Sequence, residues 1–434
     1  LIPTAVAHIV LPLIVAVSIV LMLVRPRGVS EVWWISGGAL LLVALRLVPL
    51  ELAGQAVAKG GDVYLFLIGM MLLSELAREQ GVFDWVASVA VRGAKGSCSR
   101  LFVLVYGVGT LVTIFMSNDA TAVVLTPAIL TAVRKAKVSP LPYLFVCALI
   151  ANAASFVLPI SNPANLVVFR TGMPPLGRWL ADFGVPSLLS IVATFLVMRF
   201  LFREELRRGI ECEVEDVKLS GNGRLVLAGL ASMIGVLLAA SAMKKDLGLP
   251  TCVAALIVTA VVSVKSKSSP MTLVREISWG TLLLVAGLFV MVDAVESEGA
   301  LKLTEHWLAW ASGLGQSAGA MVVGFVIGVA NNIVNNLPLG LIAGGTLRAA
   351  HTKGLMANAI LIGVDLGPNL SITGSLATIL WLLALRRDVG DGVGGERLDV
   401  GFWGFLKIGV VAMPVALFAA LGGAILMQML FGQR

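Results

Sequence analysis

Charge is scarce in this chain. Asp, Glu, Lys and Arg together make up 13% of 434 residues while hydrophobic residues reach 58%, which leaves too little polar surface to cover a water-soluble globule. Cysteine is equally sparse: Cys98, Cys147, Cys212 and Cys252 stand far apart, with no CxxC pair and no Cys/His ligand spacing. Neither a zinc site nor a disulfide framework is indicated, and packing or loop positions are the expected role of all four. The three histidines, His8, His306 and His351, are scattered too. No GxxxxGK[ST] occurs, and the glycine cluster DVGDGVGGERLDV at 388–400 lacks the lysine that would hold phosphates, so it reads as a flexible loop. ATP hydrolysis is therefore not encoded, no nucleophile stands beside a histidine, and no HExxH or paired-metal spacing is present. Neither an enzyme nor a cofactor-dependent protein is expected, and nucleic acid is not an expected partner.

What the chain has in abundance is long apolar runs. AVAHIVLPLIVAVSIVLMLV at 5–24 is enough, at about 1.5 Å per residue, to cross a hydrocarbon core of about 30 Å. It is longer than a signal-peptide core, lacks a small-residue cleavage pattern and is followed by RPRG and another apolar span, so it reads as a retained helix. The chain begins with Leu1 rather than Met, and some residues are expected to precede it. The most polar stretch, REELRRGIECEVEDVKLSGNGR at 203–224, splits the chain near its middle and reads as a linker.

On either side of that linker the features recur in the same order. LIGMMLLSELAREQG at 67–81 matches LVAGLFVMVDAVESEG at 284–299, and each is followed by a short amphipathic piece, 82–94 or 300–310, suited to the membrane interface. Then comes a polar break: Ser117, Asn118 and Asp119 in the first half, VNNLP at 334–338 in the second, with Asn118 and Asn335 offset by 217 positions. A second break follows in each half, ANAASFVLPISNPANLVVF at 151–169 and GVDLGPNLSITGSLATILW at 363–381, where Ser161 and Thr373 are 212 apart. Such interruptions leave backbone groups unpaired in lipid unless they line a protein-enclosed cavity, and paired ones point to a transporter binding site.

The expected fold is all-α and polytopic, with about 10 membrane crossings in two inverted repeats, 1–203 and 224–434, joined by a polar cytoplasmic linker at 204–223. Crossings are placed at 5–24, 32–50, 63–80, a broken helix at 141–170, and 185–202, then at 224–243, 249–264, 280–297, a broken helix at 355–385, and 403–431. Segments 101–134 and 318–348 become re-entrant hairpins. On this scheme the connections on one side hold 20 Lys and Arg and those on the other hold 9, so the richer side is cytoplasmic and both termini lie outside.

A carboxylate at the bilayer centre costs roughly 2.5–3.5 kcal/mol on insertion scales, so Asp119 and Asp365 need a reason to be there. Three are open: each caps a broken helix, each carries a proton, or each ligates a cation. Asn118, Asn152, Asn162, Asn165, Asn335, Asn336 and Asn369 gather at the breaks with Ser117, Ser161, Ser371, Thr373 and Ser375, a set rich in neutral hydrogen-bonding groups and free of Arg and Lys. That composition suits a small polyhydroxy neutral solute. Arg46, Glu75, Arg199, Asp293 and Lys407 fall nearer span ends and read as snorkelling side chains.

At NNLP (335–338) and DLGPNLSITGSLATILW (365–381) the chain resembles the ion transporter superfamily and, within it, the ArsB-type arsenite efflux permeases, over nearly its whole length from 25 onward. The resemblance implies a carrier in a bacterial inner membrane that exports trivalent arsenite, and antimonite with it, driven by proton uptake, with a soluble ATPase subunit as an optional partner. Its first tip departs from the Ala-Asn-Asp-Gly-Ala of many ArsB-type proteins: Ser117-Asn118-Asp119-Ala120-Thr121 is closer to the Ser-Asn-Thr tips of sodium-coupled dicarboxylate carriers, although Asp in place of Thr favours protons. The expectation is that both tips and both breaks meet near the midplane. There Asn118, Asn152, Ser161, Asn162, Asn335, Asn336, Ser371, Thr373 and Ser375 would bind substrate, while Asp119 and Asp365 would couple protons. Two rivals are carried alongside: a sodium- or proton-coupled carrier of another small anion or solute, and a channel subunit driven by a separate ATPase.

Overall fold

A computed structural model describes residues 4–170, 172–207, 209, 217–267, 269–299, 301–388 and 400–431. Cys212, positions 208 and 210–216 of the 204–223 linker, and nearly all of the 388–400 glycine cluster lie outside the described residues. The described chain is helical, with no strand beyond an isolated bridge between Ser97 and Gly209. Seven of its helices are long and apolar enough to cross a bilayer unaided, and the pair Leu50–Lys59 and Gly61–Glu79, bent by 48°, passes the same test jointly.

Each expected crossing falls on a helix or a pair of helices. The largest differences are at Leu176–Leu201, which starts nine residues before the expected 185 and carries Pro186 inside it, and at Glu31–Ala44, which stops short of 50. The first extension is physical: Pro175 precedes the helix and Pro186 costs only one intrahelical bond, too little to end an otherwise apolar run. The second helix ends where Arg46 takes a positive φ and begins a turn.

The two halves run through the same elements in the same order. Gly61–Glu79 corresponds to Trp279–Ser297, Val82–Gly93 to Leu301–Gly313, Cys98–Phe115 to Gln316–Val334, and Leu176–Leu201 to Phe402–Phe431. Both hairpins turn back on themselves. In the first, Cys98–Phe115 leads to a π-helical segment, Ala120–Leu125, that continues into Thr126–Lys135. Val82–Gly93 packs against both Cys98–Phe115 and Thr126–Lys135, and the Thr113 and Thr121 hydroxyls are 2.8 Å apart, so the chain reverses at its tip. In the second, Leu301–Gly313 touches both Gln316–Val334 and Asn336–Ala349, and Thr304 meets Thr346 at 2.7 Å.

Packing crosses between the halves. Gly61–Glu79 lies against Gly248–Ser266, and its counterpart Trp279–Ser297 lies against Glu31–Ala44. Both contacts are made at glycine, Gly69 and Gly287, 218 positions apart. A Cβ on Gly69 would come within 2.9 Å of the Cys252 backbone nitrogen, and one on Gly287 within 2.9 Å of Ile35 Cγ2 and 3.3 Å of its carbonyl oxygen. Small residues let membrane helices approach closely, and here they fix the interface between halves. Gly69→Ala is expected to cost about 1–3 kcal/mol because backbone cannot move aside as a side chain can. Thermal unfolding in detergent reads this, and an unchanged melting temperature would show the contact to be slack.

Candidate functional site

The two breaks interlock. Leu141–Ala153 stops at a non-helical stretch that passes through the 3-10 turn Pro159–Ser161 and resumes as Pro163–Val168; Leu355–Leu366 stops likewise and resumes as Leu376–Asp388. The side chain of Asn162 accepts from the Ala164 N–H at 3.0 Å, capping the resumed helix, and its Nδ2 donates at 2.9 Å to Oδ1 of Asp365 in the other half. Asn152 Nδ2 donates at 2.9 Å to Oδ1 of Asn369, 217 positions away, and Asn369 Nδ2 donates at 3.0 Å to the Leu149 carbonyl. These bonds carry the contact between the repeats through the membrane interior, where no water competes for them.

Each hairpin is tied to its own break. In the first half Ser161 Oγ donates to the Ile114 carbonyl at 2.9 Å. In the second, Asn332 is the centre: its Nδ2 donates to the Gly328 and Gly367 carbonyls at 3.0 Å each, and its Oδ1 accepts from Ser371 N–H at 3.1 Å and Ser371 Oγ at 2.8 Å. Thr373 Oγ1 donates to the Asn332 carbonyl at 2.9 Å, and Asn335 Nδ2 donates to the Thr373 carbonyl at 3.2 Å. Asn331 Nδ2 reaches the Val364 carbonyl. Sequence reading passed over Asn331 and Asn332. The signal was present in NNIVNN, which repeats an Asn pair at four-residue spacing just before and at the hairpin turn.

The return arms cross over. Ala120–Leu125 packs against Leu376–Asp388 of the second half, and Asn336–Ala349 packs against Pro163–Val168 of the first. The two carboxylates therefore sit in unlike places. Asp365 is fully buried, with Oδ1 held by Asn162, Ser155 beside it, and Oδ2 without a hydrogen-bond partner among the described residues. Asp119 accepts no hydrogen bond among the described residues and faces a cavity of about 140 Å³ that it shares with Ser117, Ser74, Glu75, Pro163 and Leu376. At the tip, Asn118 Oδ1 accepts from the Asp119 N–H at 2.9 Å and Ser117 Oγ from the Ala120 N–H at 3.1 Å. The free donors are thus capped by neighbours of Asp119, not by its own side chain.

Of the other expected site residues, Ser375 caps the resumed helix by accepting from the Thr378 N–H at 3.1 Å. Asn336 is buried with its Oδ1 unpartnered, as are the Oδ1 atoms of Asn152, Asn165 and Asn331. Asn165 Nδ2 gathers the carbonyls of Ser155, Leu158 and Pro159 at 2.9–3.3 Å, holding the first break open. One expectation is overturned. Asp293 does not snorkel: its side chain is 8% exposed and is paired with Lys59 at 2.6 Å and Arg170 at 3.9 Å, the latter lying over the Phe289 ring. The partners come from distant segments, 234 and 123 positions away, which no local pattern reveals. No group of three or more His, Cys, Asp or Glu suited to a metal ion is found among the described residues.

Two helical hairpins and two interrupted helices, interlocked by buried amides beside a small, mostly apolar cavity that holds the Asp119 carboxylate, define a multi-pass membrane transporter. The chain belongs to the CitMHS family, described as citrate transporter, whose profile matches residues 19–364. It is 25% identical over 434 aligned positions to the arsenical pump membrane protein of Escherichia coli strain K12, covering 94% of this chain and 96% of that one. It is 23% identical to an uncharacterized transporter of Mycobacterium tuberculosis, covering 83% and 84%. Among solved structures, the YdaH transporter of Alcanivorax borkumensis, reported to have an unusual topology, shares the fold with a TM-score of 0.57 at 16% identity over 90% of this chain and 89% of that one.

Proposed function

We propose that this protein is a secondary carrier exporting trivalent arsenite, and antimonite with it, from a bacterial cytoplasm in exchange for protons. The observation that carries the reading is the Asp119 carboxylate, which has no hydrogen-bond partner among the described residues and opens on a cavity of a few water volumes. The curated relatives named arsenical pump membrane proteins support the same substrate. On this reading residues 1–203 and 224–434 are inverted repeats joined by a cytoplasmic 204–223 linker in an inner membrane, with both termini outside.

Neutral arsenite carries three hydroxyls that donate and accept, and the tips and breaks offer matching groups. Asn118, Asn335, Asn336, Thr373 and Ser375 would hold them, with Asn152, Ser161, Asn162 and Ser371 shaping the walls. Asp119 exchanges a proton with the cavity. Asp365, held by Asn162 of the opposite half, reports that exchange to the interlocked breaks. Loading a proton on one side favours release of solute there, and movement of the hairpins against the scaffold returns the site to the cytoplasm. A soluble ATPase would be an optional partner, since the gradient alone suffices.

The test is arsenite flux in proteoliposomes containing only this protein, with proton and sodium gradients imposed separately. Accumulation driven by the proton gradient alone is expected. Flux that follows arsenite downhill and ignores both gradients would replace the carrier by a channel. A second reading, a sodium- or proton-coupled carrier of an organic anion, is favoured by the family description; sodium-driven flux or competition by citrate in the same vesicles would establish it instead.

A further inference from the structure

A second cavity, about 660 Å³ and far larger than the first, opens where the connection after Pro163–Val168 meets the one after Asn336–Ala349. It lies on the opposite face from the Asp119 cavity, which opens toward Glu276 and Ser278. Its lining is basic. Arg178, Arg348 and Lys353 contribute three positive charges and His351 a fourth when protonated, against a single carboxylate, Asp182, which Arg178 neutralises at 2.9 Å. Arg348 is paired with Glu296 only loosely, at 4.0 Å, with both side chains about a third exposed, so the guanidinium keeps donors for a further anion. Three of the 9 cations expected on the charge-poor side thus converge on one hollow, contrary to the random spread a solvated rim would give.

Two further features aim at the same space. Leu176–Leu201 and Leu355–Leu366 both begin at this cavity, after Pro175 and Gly354, and neither has a side-chain cap, so their first N–H groups and positive dipole ends face it. Asn358, in the first turn of the second of these helices, lines the cavity; it is 9% exposed, and its side-chain amide has no hydrogen-bond partner among the described residues. The amide is reached from the cavity and is free to donate and accept there.

We propose that this cavity is a binding site for a small multivalent anion, a carboxylate or phosphate group held by Arg348, Lys353, the two helix N-termini and the Asn358 amide. Uncapped helix starts flanked by Arg and Lys form a ready anion site, and the pocket is of the volume that small ligands take. The anionic oxygens can belong to a free solute or to a lipid headgroup. The site shares no lining residue with the Asp119 cavity, and the proposal does not depend on which species the carrier moves.

The experiment measures binding, not transport. Purified full-length protein is titrated with inorganic phosphate and with citrate by calorimetry, and lipid association is compared in nanodiscs of phosphatidylcholine with and without phosphatidylglycerol. Saturable binding to at least one probe is expected, weakened about tenfold or more in R348Q/K353Q, a loss of about 1.4 kcal/mol or more. Asn358→Ala, which keeps every charge, is expected to weaken it several-fold and serves if the double variant aggregates. Loss confined to the phosphatidylglycerol arm assigns the site to lipid; loss in the calorimetric arm assigns it to a free anion. No binding to any probe, or equal binding by wild type and all variants, overturns the proposal and leaves the transport reading untouched.

Discussion

Asp119→Asn is expected to leave the protein folded and to reduce proton-driven arsenite flux by at least about a hundredfold, the scale on which removing a proton-transferring group slows a reaction. The two halves of that expectation have separate grounds. Folding survives because the Asp119 side chain supports nothing: the hairpin tip is capped by Asn118 and Ser117, Thr113 meets Thr121, and the carboxylate itself looks into a cavity. A change at such a position stays within about 0.5 kcal/mol. Coupling is lost because an amide of the same shape cannot titrate. The measurement is flux in proteoliposomes under an imposed proton gradient, with the thermal transition of the same preparation beside it. A variant that keeps half the wild-type coupled flux would take the proton away from Asp119. Asp365→Asn is the control, for its neighbours Asn162 and Ser155 belong to the interlocked breaks, so its substitution is expected to alter stability as well as flux.

Removing Asp293 is expected to destabilise the protein by roughly 3 kcal/mol. Breaking a buried ion pair by deleting one partner costs about 3–5 kcal/mol because the other charge is left without compensation. Here the lower end applies, since Lys59 is half exposed and retains water and Arg170 is only partly buried. The corresponding position of the first repeat gives the comparison: Glu75, 218 residues earlier, pairs among the described residues with the exposed Arg78 one turn along its own helix and lines the Asp119 cavity. Glu75→Ala is therefore expected to cost less than about 1 kcal/mol, as surface pairs do. Denaturant unfolding of Asp293→Ala and Glu75→Ala read together checks both figures. Equal losses would mean that the Lys59–Asp293–Arg170 group is no stronger than a rim pair. The double replacement Asp293→Leu with Arg170→Met is expected to recover most of the lost stability, because apolar packing removes both desolvation costs at once.

Sequence alone carried the reading further for the fold than for the site. Apolar run lengths placed the helices, because in lipid only a helix satisfies a segment's backbone within the segment itself. The similar offsets, 217 between Asn118 and Asn335 and 212 between Ser161 and Thr373, announced the repeat, and the Pro, Asn and Ser at 151–169 and 363–381 announced the breaks, because each breaks helix in a place where breaking it is expensive. Misreadings fell where partners are remote. Asp293 looked like a span-end charge because Lys59 and Arg170 are invisible from its own helix, and Asn332 went unnoticed because its importance lies in Gly367, Ser371 and Thr373, on a different element.

Membrane class, helix order, repeat and the identity of the polar groups were thus settled by the linear order of residues, since these depend on what a segment can do within lipid by itself. Which of those groups touch was decided only by folding: Asn152 with Asn369, Asn162 with Asp365, and Asp119 left facing open space. The reason is that each hairpin's return arm packs on the opposite half, as do the helices carrying Gly69 and Gly287, so these contacts join segments far apart in the chain, beyond the reach of any local pattern.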